Sequence, residues 1–329
     1  MERLRNTENH PFNKSTCQAI ARTVFSRTEV NDVHILPGGI INSSIELSLR
    51  NPNTQLHLRV YNGEDAEVRA SKEKLLYDLI AKHTNVPIPT IYSLDSSRTA
   101  IDQIFSLQSS LPGVNLESVC GKLTAEEQKS IAFQVGGYRG QLHTIRFRGF
   151  GEEVSKNTLG HAPTWGKFFL EFVSKNIDWC EDQGTIDGNL ADNIKNHLLR
   201  WQRLLPEDQP AVLVHRDFHP GNIKVQKDRK GKWKISDIYD FEHAIAGHAE
   251  FDFAKPYWTF FEPYPQMKES MLRGYNDVNK LSPLFELRMD KLYRLAEISD
   301  FLVFGIKRGI ASEIAKNLSA VTQVLREDT

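Results

Sequence analysis

Residues 211–254, AVLVHRDFHPGNIKVQKDRKGKWKISDIYDFEHAIAGHAEFDFA, decide how the rest of the chain is read. The apolar run Ala211–Val214 reads as a short buried strand, and His215, Arg216 and Asp217 follow where it would end. After the breaker-rich turn His219-Pro220-Gly221, Asn222 opens an alternating run in which Lys224 separates Ile223 from Val225. Lys227–Gly231 has turn composition, and Trp233, Ile235 and Ile238 restore a strand pattern that ends at Asp240. The stretch is a hairpin. With its turn near Arg229 or Lys230, Asn222 and Asp240 meet at the open end, and Asp217 on the entering loop faces the same end.

That set of side chains suits one chemistry. Mg²⁺ is a hard cation that takes few protein oxygen ligands and completes its octahedron with water and substrate phosphates, so an amide oxygen and a carboxylate are a sufficient pair. The second aspartate is then left to face a hydroxyl. Phosphoryl transfer asks mainly for positioning and charge neutralisation, which is the same division of labour. Each residue alone also fits a polar turn or a helix cap; the three together, in strand and loop contexts, favour catalysis.

The string His215-x-Asp217-x-x-x-x-Asn222, followed by Ile238-Tyr239-Asp240-Phe241-Glu242, Gly247 and Asp252-Phe253-Ala254, resembles the aminoglycoside phosphotransferase and choline kinase family, small-molecule relatives of the protein kinases. The resemblance implies an α+β, two-lobed, protein-kinase-like fold. A small N-terminal lobe with an antiparallel sheet (residues 1–107) would bind nucleotide, and a larger, mainly helical lobe (108–329) would carry catalysis and the acceptor. It also implies Asp217 as catalytic base, His215 as brace of the catalytic loop, Asn222 and Asp240 as Mg²⁺ ligands, and ATP or GTP as co-substrate.

Around this core the composition is that of an ordinary globular chain. The 329 residues are long enough for about two lobes. With 41 Lys and Arg against 42 Asp and Glu, no basic excess argues for nucleic acid or an anionic membrane. Cys17, Cys120 and Cys180 are too few and too scattered for a disulfide framework or a metal site, which fits a reducing cytoplasm. No apolar run approaches a membrane span, so a cytoplasmic protein is expected.

Upstream, Asn13–Phe25 reads as a helix starting near Ser15 or Thr16. Val30–Leu36, Ile40–Leu49 and Leu56–Tyr61 read as an antiparallel meander, Asp65–His83 as a helix, and Ala100–Leu107 as the last strand before a hinge at Leu111-Pro112-Gly113. By resemblance, Gly38, Gly39 and Asn42 form the phosphate-covering turn, where glycine lets backbone N–H groups approach closely. In Leu56-His57-Leu58-Arg59-Val60, alternation turns His57 and Arg59 to the polar side. Kinases usually place a lysine at the position of Arg59, which would hold nucleotide phosphates and pair with Glu73 or Glu67, Glu73 being preferred. By the same resemblance, Phe105 and Leu107 lie in the strand whose backbone would meet the base.

Downstream, Thr124-Ala125-Glu126-Glu127 is a capping box opening a helix to about His143, in which Gly136, Gly137 and Gly140 predict a close backbone neighbour. Further helices are expected from Thr164-Trp165 and at 188–205, 267–281, 283–305 and 311–325. The function expected is Mg²⁺-dependent transfer of phosphate from ATP or GTP to a hydroxyl of a small molecule. An aminoglycoside-type antibiotic is the first choice, since acidic residues near the loop would suit a cationic acceptor. Choline, homoserine or a sugar-like metabolite is the alternative. A nucleotide-binding module without transfer activity is a rival hinted at only by Arg59, and no Asp-Phe-Gly segment follows Asp240 as it would in a protein kinase.

Overall fold

The computed structural model describes residues 12–36, 42–110, 112–155 and 158–326. In chain order the elements are α1 (Lys14–Val24), β1 (Glu29–Leu36), β2 (Ser43–Arg50), β3 (Thr54–Tyr61), α2 (Ala66–His83), β4 (Ile91–Asp95), β5 (Ile104–Ser109), β6 (Val114–Asn115), α3 (Leu116–Cys120), α4 (Ala125–Leu142), β7 (Arg146–Phe147), β8 (Val154–Ser155), β9 (Thr158–Leu159), α5 (Trp165–Asp182) and α6 (Gly188–Trp201). They continue with β10 (Ala211–Val214), β11 (Ile223–Lys227), β12 (Trp233–Ile238), β13 (Ile245–Gly247), α7 (Ala254–Pro256), α8 (Met267–Asn276), α9 (Phe285–Arg288), α10 (Arg294–Arg308) and α11 (Ala311–Arg326). Two compact units result. One comprises the chain up to Gly121 plus Gly221–Glu242, the other Lys122–Pro220 plus the chain from His243.

The first unit is built on a five-stranded antiparallel sheet of order β1-β2-β3-β5-β4. Alternation sends Ile45, Leu47, Leu56, Leu58, Val60, Phe105 and Leu107 to one face, where they bury against Cys17, Ile20 and Ala21 of α1. Each such aliphatic side chain contributes about 1.5–3 kcal/mol of burial, so this face fixes the register. The positions between them, Glu46, His57, Arg59, Ser106 and Gln108, make the other face polar.

Sequence and structure differ at the far edge of this sheet. The last strand runs 104–109 instead of 100–107, and β4 was not foreseen. Ile91–Asp95 is short, follows Pro87 and Pro89, and has a bulge between Ile91 and Ser93, so its alternation is broken. Helix α1 is capped by Asn13, whose side chain accepts from Thr16 N at 2.9 Å, two residues before the expected Ser15.

The hairpin β11–β12 belongs to the first unit, with β6 as its third strand. Its pairs are Ile223↔Ile238, Lys224↔Asp237, Val225↔Ile235 and Lys227↔Trp233, with a bulge at Ser236. Asp228 closes the turn by accepting from Lys230 N and Lys232 N at 2.8 and 2.9 Å, and Gly231 supplies a φ of 75°. Ile238 N donates to Pro87 O at 2.8 Å, anchoring the hairpin to the loop after α2.

In the second unit a three-stranded sheet of order β13-β10-β7 is surrounded by helices. Helix α4 starts with the capping box: Glu127 N donates to the Thr124 hydroxyl, and Thr124 N donates to the Glu127 carboxylate at 2.9 Å. Helices α4 and α8 touch backbone to backbone. A Cβ at Gly136 would lie 1.9 Å from Met271 O, and one at Gly274 2.0 Å from Phe133 O. The predicted helix 283–305 is α9 and α10 joined by a π-helical turn, Met289–Tyr293. All three cysteines are buried thiols, and no helix among the described residues is long and apolar enough to cross a membrane.

Candidate active site

In the first unit the hairpin's open end carries Asn222 and Asp240. The pair Ile223↔Ile238 sets them side by side, and Tyr239 N donates to Asn222 O at 3.2 Å. Asp240 takes a left-handed backbone (φ 68°), a conformation that costs a non-glycine residue about 1 kcal/mol. Such strain persists only where neighbours over-determine it, and here Arg59 Nη2 meets Asp240 Oδ1 at 2.8 Å.

Arg59 is the hub of this end of the sheet. Its Nε lies 3.2 Å from Glu73 Oε2 of α2, and its Nη2 also lies 3.3 Å from Glu242 Oε2. Burial pushes the Glu73 carboxyl up against the opposing pull of Arg59, and the Tyr61 hydroxyl donates to the same carboxylate. Glu242 in turn accepts from Asn42 Nδ2 at 2.8 Å, Arg69 Nη1 donates to Asn42 Oδ1 at 2.6 Å, and Lys72 Nζ donates to Glu242 O at 2.9 Å. Three cations and three carboxylates thus converge on one end of the polar face.

Gly38 and Gly39 lie outside the described residues. Phe105 and Leu107 place their side chains in the apolar core, and their backbones pair with β3 and β4, so the polar side chains β5 offers the other face are Ser106 and Gln108. Glu242, Arg69 and Lys72 were not foreseen as members of the cluster. Only Glu242 had a signal, its place two residues after Asp240.

The second unit carries His215 and Asp217. His215 is fully buried against the Phe218 ring, centroids 5.1 Å apart. Arg216, at φ 63°, is fixed by its N–H, which donates to Asp252 Oδ1 at 2.9 Å. Asp252 is gripped by His143 Nε2 at 3.2 Å and Arg139 Nε at 3.4 Å. Burial would raise its carboxyl, but the His143 hydrogen bond and the Arg139 charge hold it down at about 2. Arg139 itself lies between the Phe218 and Phe253 rings, 4.4 and 4.5 Å from their centroids. A strained loop is therefore pinned from beneath by a buried network.

Asp217 projects from that loop with a quarter of its side chain exposed. Its Oδ2 lies 3.4 Å from His219 Nε2, and its Oδ1 lies 3.3 Å from Lys255 Nζ. Burial works to raise the carboxyl. The His219 hydrogen bond and the Lys255 charge, with a smaller contribution from His243, overcome it and hold Asp217 well below the usual carboxylate range. Lys255 also pairs with Glu297 Oε1 at 2.9 Å, and Arg216 pairs with Asp300. No sequence signal pointed to Lys255 or Glu297, which come from segments distant in the chain.

Among the described residues no cluster of three or more His, Cys, Asp or Glu side chains could hold a metal ion. A two-ligand Mg²⁺ site with an asparagine needs no such cluster. Asn222 and Asp240 fit the ion by donor chemistry, and the carboxylate of Asp240 is already met by a cation, Arg59.

The model of the phosphotransferase enzyme family (APH) matches residues 32–284. The chain belongs to this family. As an APH-family protein it is a small-molecule kinase with a protein-kinase-like fold. Similar solved structures include aminoglycoside phosphotransferase APH(4)-Ia with ADP and hygromycin B, 18% identical, covering 94% of this chain and 98% of that one at a TM-score of 0.68. A putative fructosamine-3-kinase from Thermobifida fusca is 16% identical over 94% of this chain and 98% of its own, at 0.70. Another APH enzyme, in complex with GDP and kanamycin, is 12% identical over 94% and 98%, at 0.66. Comparison with curated proteins finds no match.

Proposed function

We propose that this APH-family protein moves the γ-phosphoryl group of ATP or GTP onto a hydroxyl of a small molecule, with the first unit holding the nucleotide and the second supplying the base and the acceptor site. One observation carries the reading: a single hairpin register sets Asn222 beside a backbone-strained Asp240 whose carboxylate is held by Arg59. Nucleotide complexes among the similar structures support it.

In this reading Asp217 accepts the proton as the acceptor oxygen forms its bond to the γ-phosphorus. The bond from that phosphorus to the bridging oxygen breaks, and its electron pair leaves with the nucleoside diphosphate. Asn222 and Asp240 would hold Mg²⁺, which neutralises phosphate charge when bound. Arg59, oriented by Glu73, presents a planar fork to the phosphates. His215 and Asp252 keep the loop in place.

Aminoglycosides are the first acceptors to test, which would make the protein an antibiotic-resistance enzyme. A metabolite kinase is the second reading, and a specific observation favours it: Glu297 and Asp300, two acids of the second unit, are each matched by Lys255 or Arg216, which reduces the negative charge open to a polycation. Coupled-assay turnover with Mg·ATP and Mg·GTP tests both, using hygromycin B, kanamycin, a fructosamine, choline and homoserine as acceptors. Transfer to at least one is expected; nucleotide binding without transfer to any hydroxyl would leave only the silent module.

A further inference from the structure

We infer that Lys255 is a positioning residue for Asp217 and is itself held by Glu297, so that the base operates as a chain of three side chains, Asp217–Lys255–Glu297. This rests on the reading of Asp217 as the base. Lys255 Nζ lies 3.3 Å from Asp217 Oδ1 and 2.9 Å from Glu297 Oε1, and it sits over the Phe301 ring, 4.3 Å from its centroid. Burial would strip the proton from Lys255, but Glu297 and Asp217 oppose that, so the side chain stays an ammonium.

The arrangement answers a physical difficulty of the transfer step. When the acceptor's proton passes to Asp217, the aspartate loses its charge, and a buried ammonium with no other counter-ion would be left unpaired at high cost. Glu297, 3% exposed and 2.9 Å from Lys255 Nζ, is a second partner that keeps Lys255 in place through the step. Lys255 in turn fixes one oxygen of Asp217 while His219 faces the other, which restrains rotation of the carboxylate. The groups that face Asp217 are Lys255 on α7, His219 on its own loop and His243 after β12, with Arg216 and Glu297 behind.

The two elements that deliver the pair are also irregular. The π-helical turn Tyr257–Phe261 begins directly after α7, which bears Lys255, and the π-helical turn Met289–Tyr293 ends directly before α10, which bears Glu297. Such turns are rare and recur at functional sites because they re-aim the side chains beside them. A pair serving only to join two helices would have no need to reach the aspartate.

The test compares Lys255→Met, Lys255→Arg, Glu297→Gln and Asp217→Asn with the parent. The assay is Mg·ATP and Mg·GTP turnover with water as acceptor, in which the proton comes from water. The readouts are kcat, nucleotide KM, the acid limb of the kcat–pH profile and Tm. Lys255→Met should lower kcat about 10- to 100-fold with nucleotide KM unchanged and move the acid limb up towards the ordinary carboxylate range, because Asp217 loses its nearest cation. Lys255→Arg should recover much of the rate, and Glu297→Gln should fall between. A parent kcat and parent acid limb in Lys255→Met, or an arginine variant as slow as the methionine one with an equal fall in Tm, overturns the inference. If Asp217→Asn turns over at the parent rate, the assignment of the base fails instead, and this inference with it.

Discussion

Arg59 Nη2 lies 2.8 Å from Asp240 Oδ1, within one unit although 181 residues separate them in sequence. The guanidinium neutralises the carboxylate proposed to hold Mg²⁺, while its Nε lies 3.2 Å from Glu73 Oε2. Arriving metal and nucleotide phosphates would take over both sides of this pair, Asp240 turning to the cation and Arg59 to the anion. Under the proposed function the site would exchange charge partners on binding and leave no charge uncompensated.

Replacing Arg59 by alanine should raise nucleotide KM at least tenfold and, because Glu73 is left buried without its cation, cost about 3–5 kcal/mol of stability. Lysine should recover only part of both, since it cannot span Glu73 and Asp240 as a fork does. A double-mutant cycle of Arg59 with Glu73 on nucleotide binding checks the coupling; additive effects would contradict it.

Asp240→Ala should abolish the Mg²⁺ dependence of nucleotide binding, and Asn222→Ala should weaken it, because the carboxylate neutralises charge whereas the amide only coordinates. Calorimetric nucleotide titrations with and without Mg²⁺ separate the two. An unchanged Mg²⁺ dependence in Asp240→Ala excludes that residue.

The Asp237 carboxyl is pushed up to about 7 by burial, against the Ile238 backbone hydrogen bond and the Lys224 charge. A proton held in the folded state up to that pH, and released by the unfolded chain near 4, makes stability fall as pH rises across the interval, by about 1.4 kcal/mol per pH unit for this group. Asp237→Asn should remove that slope and stabilise the protein at pH 8. Urea midpoints at pH 5 and pH 8 give the measurement, and an unchanged difference between them in the variant counts against the assignment.

Gly136→Ala should destabilise by about 1–3 kcal/mol, since its Cβ would fall 1.9 Å from Met271 O and force α4 and α8 apart. Gly137→Ala, whose nearest neighbour is 3.7 Å away, is the control and should be nearly neutral. Urea unfolding of both reads the contrast.

What the sequence disclosed was what local chemistry encodes. The hairpin from Asn222 to Asp240 was legible because turn residues and alternation are written within twenty residues, and the capping box at Thr124 because it is a four-residue signature. Arg59 was turned to the polar face by simple alternation, and Glu73 was picked as its partner; the two lie 3.2 Å apart. Lys255, Glu297, Arg69 and Lys72 were not legible, because their importance lies in neighbours remote in sequence, and a single lysine on a short helix carries no pattern of its own. Strand β4 escaped for a different reason, a bulge that breaks its alternation beside two prolines.

The central claim, that Asp217 is the base of a nucleotide-dependent phosphotransferase, is tested most directly by single-turnover transfer from Mg·ATP or Mg·GTP to the best acceptor, in the parent and in Asp217→Asn. The account predicts unchanged nucleotide binding and a transfer rate lowered by about 10²-fold or more, the usual effect of removing a positioned base. Transfer at the parent rate in Asp217→Asn would contradict it.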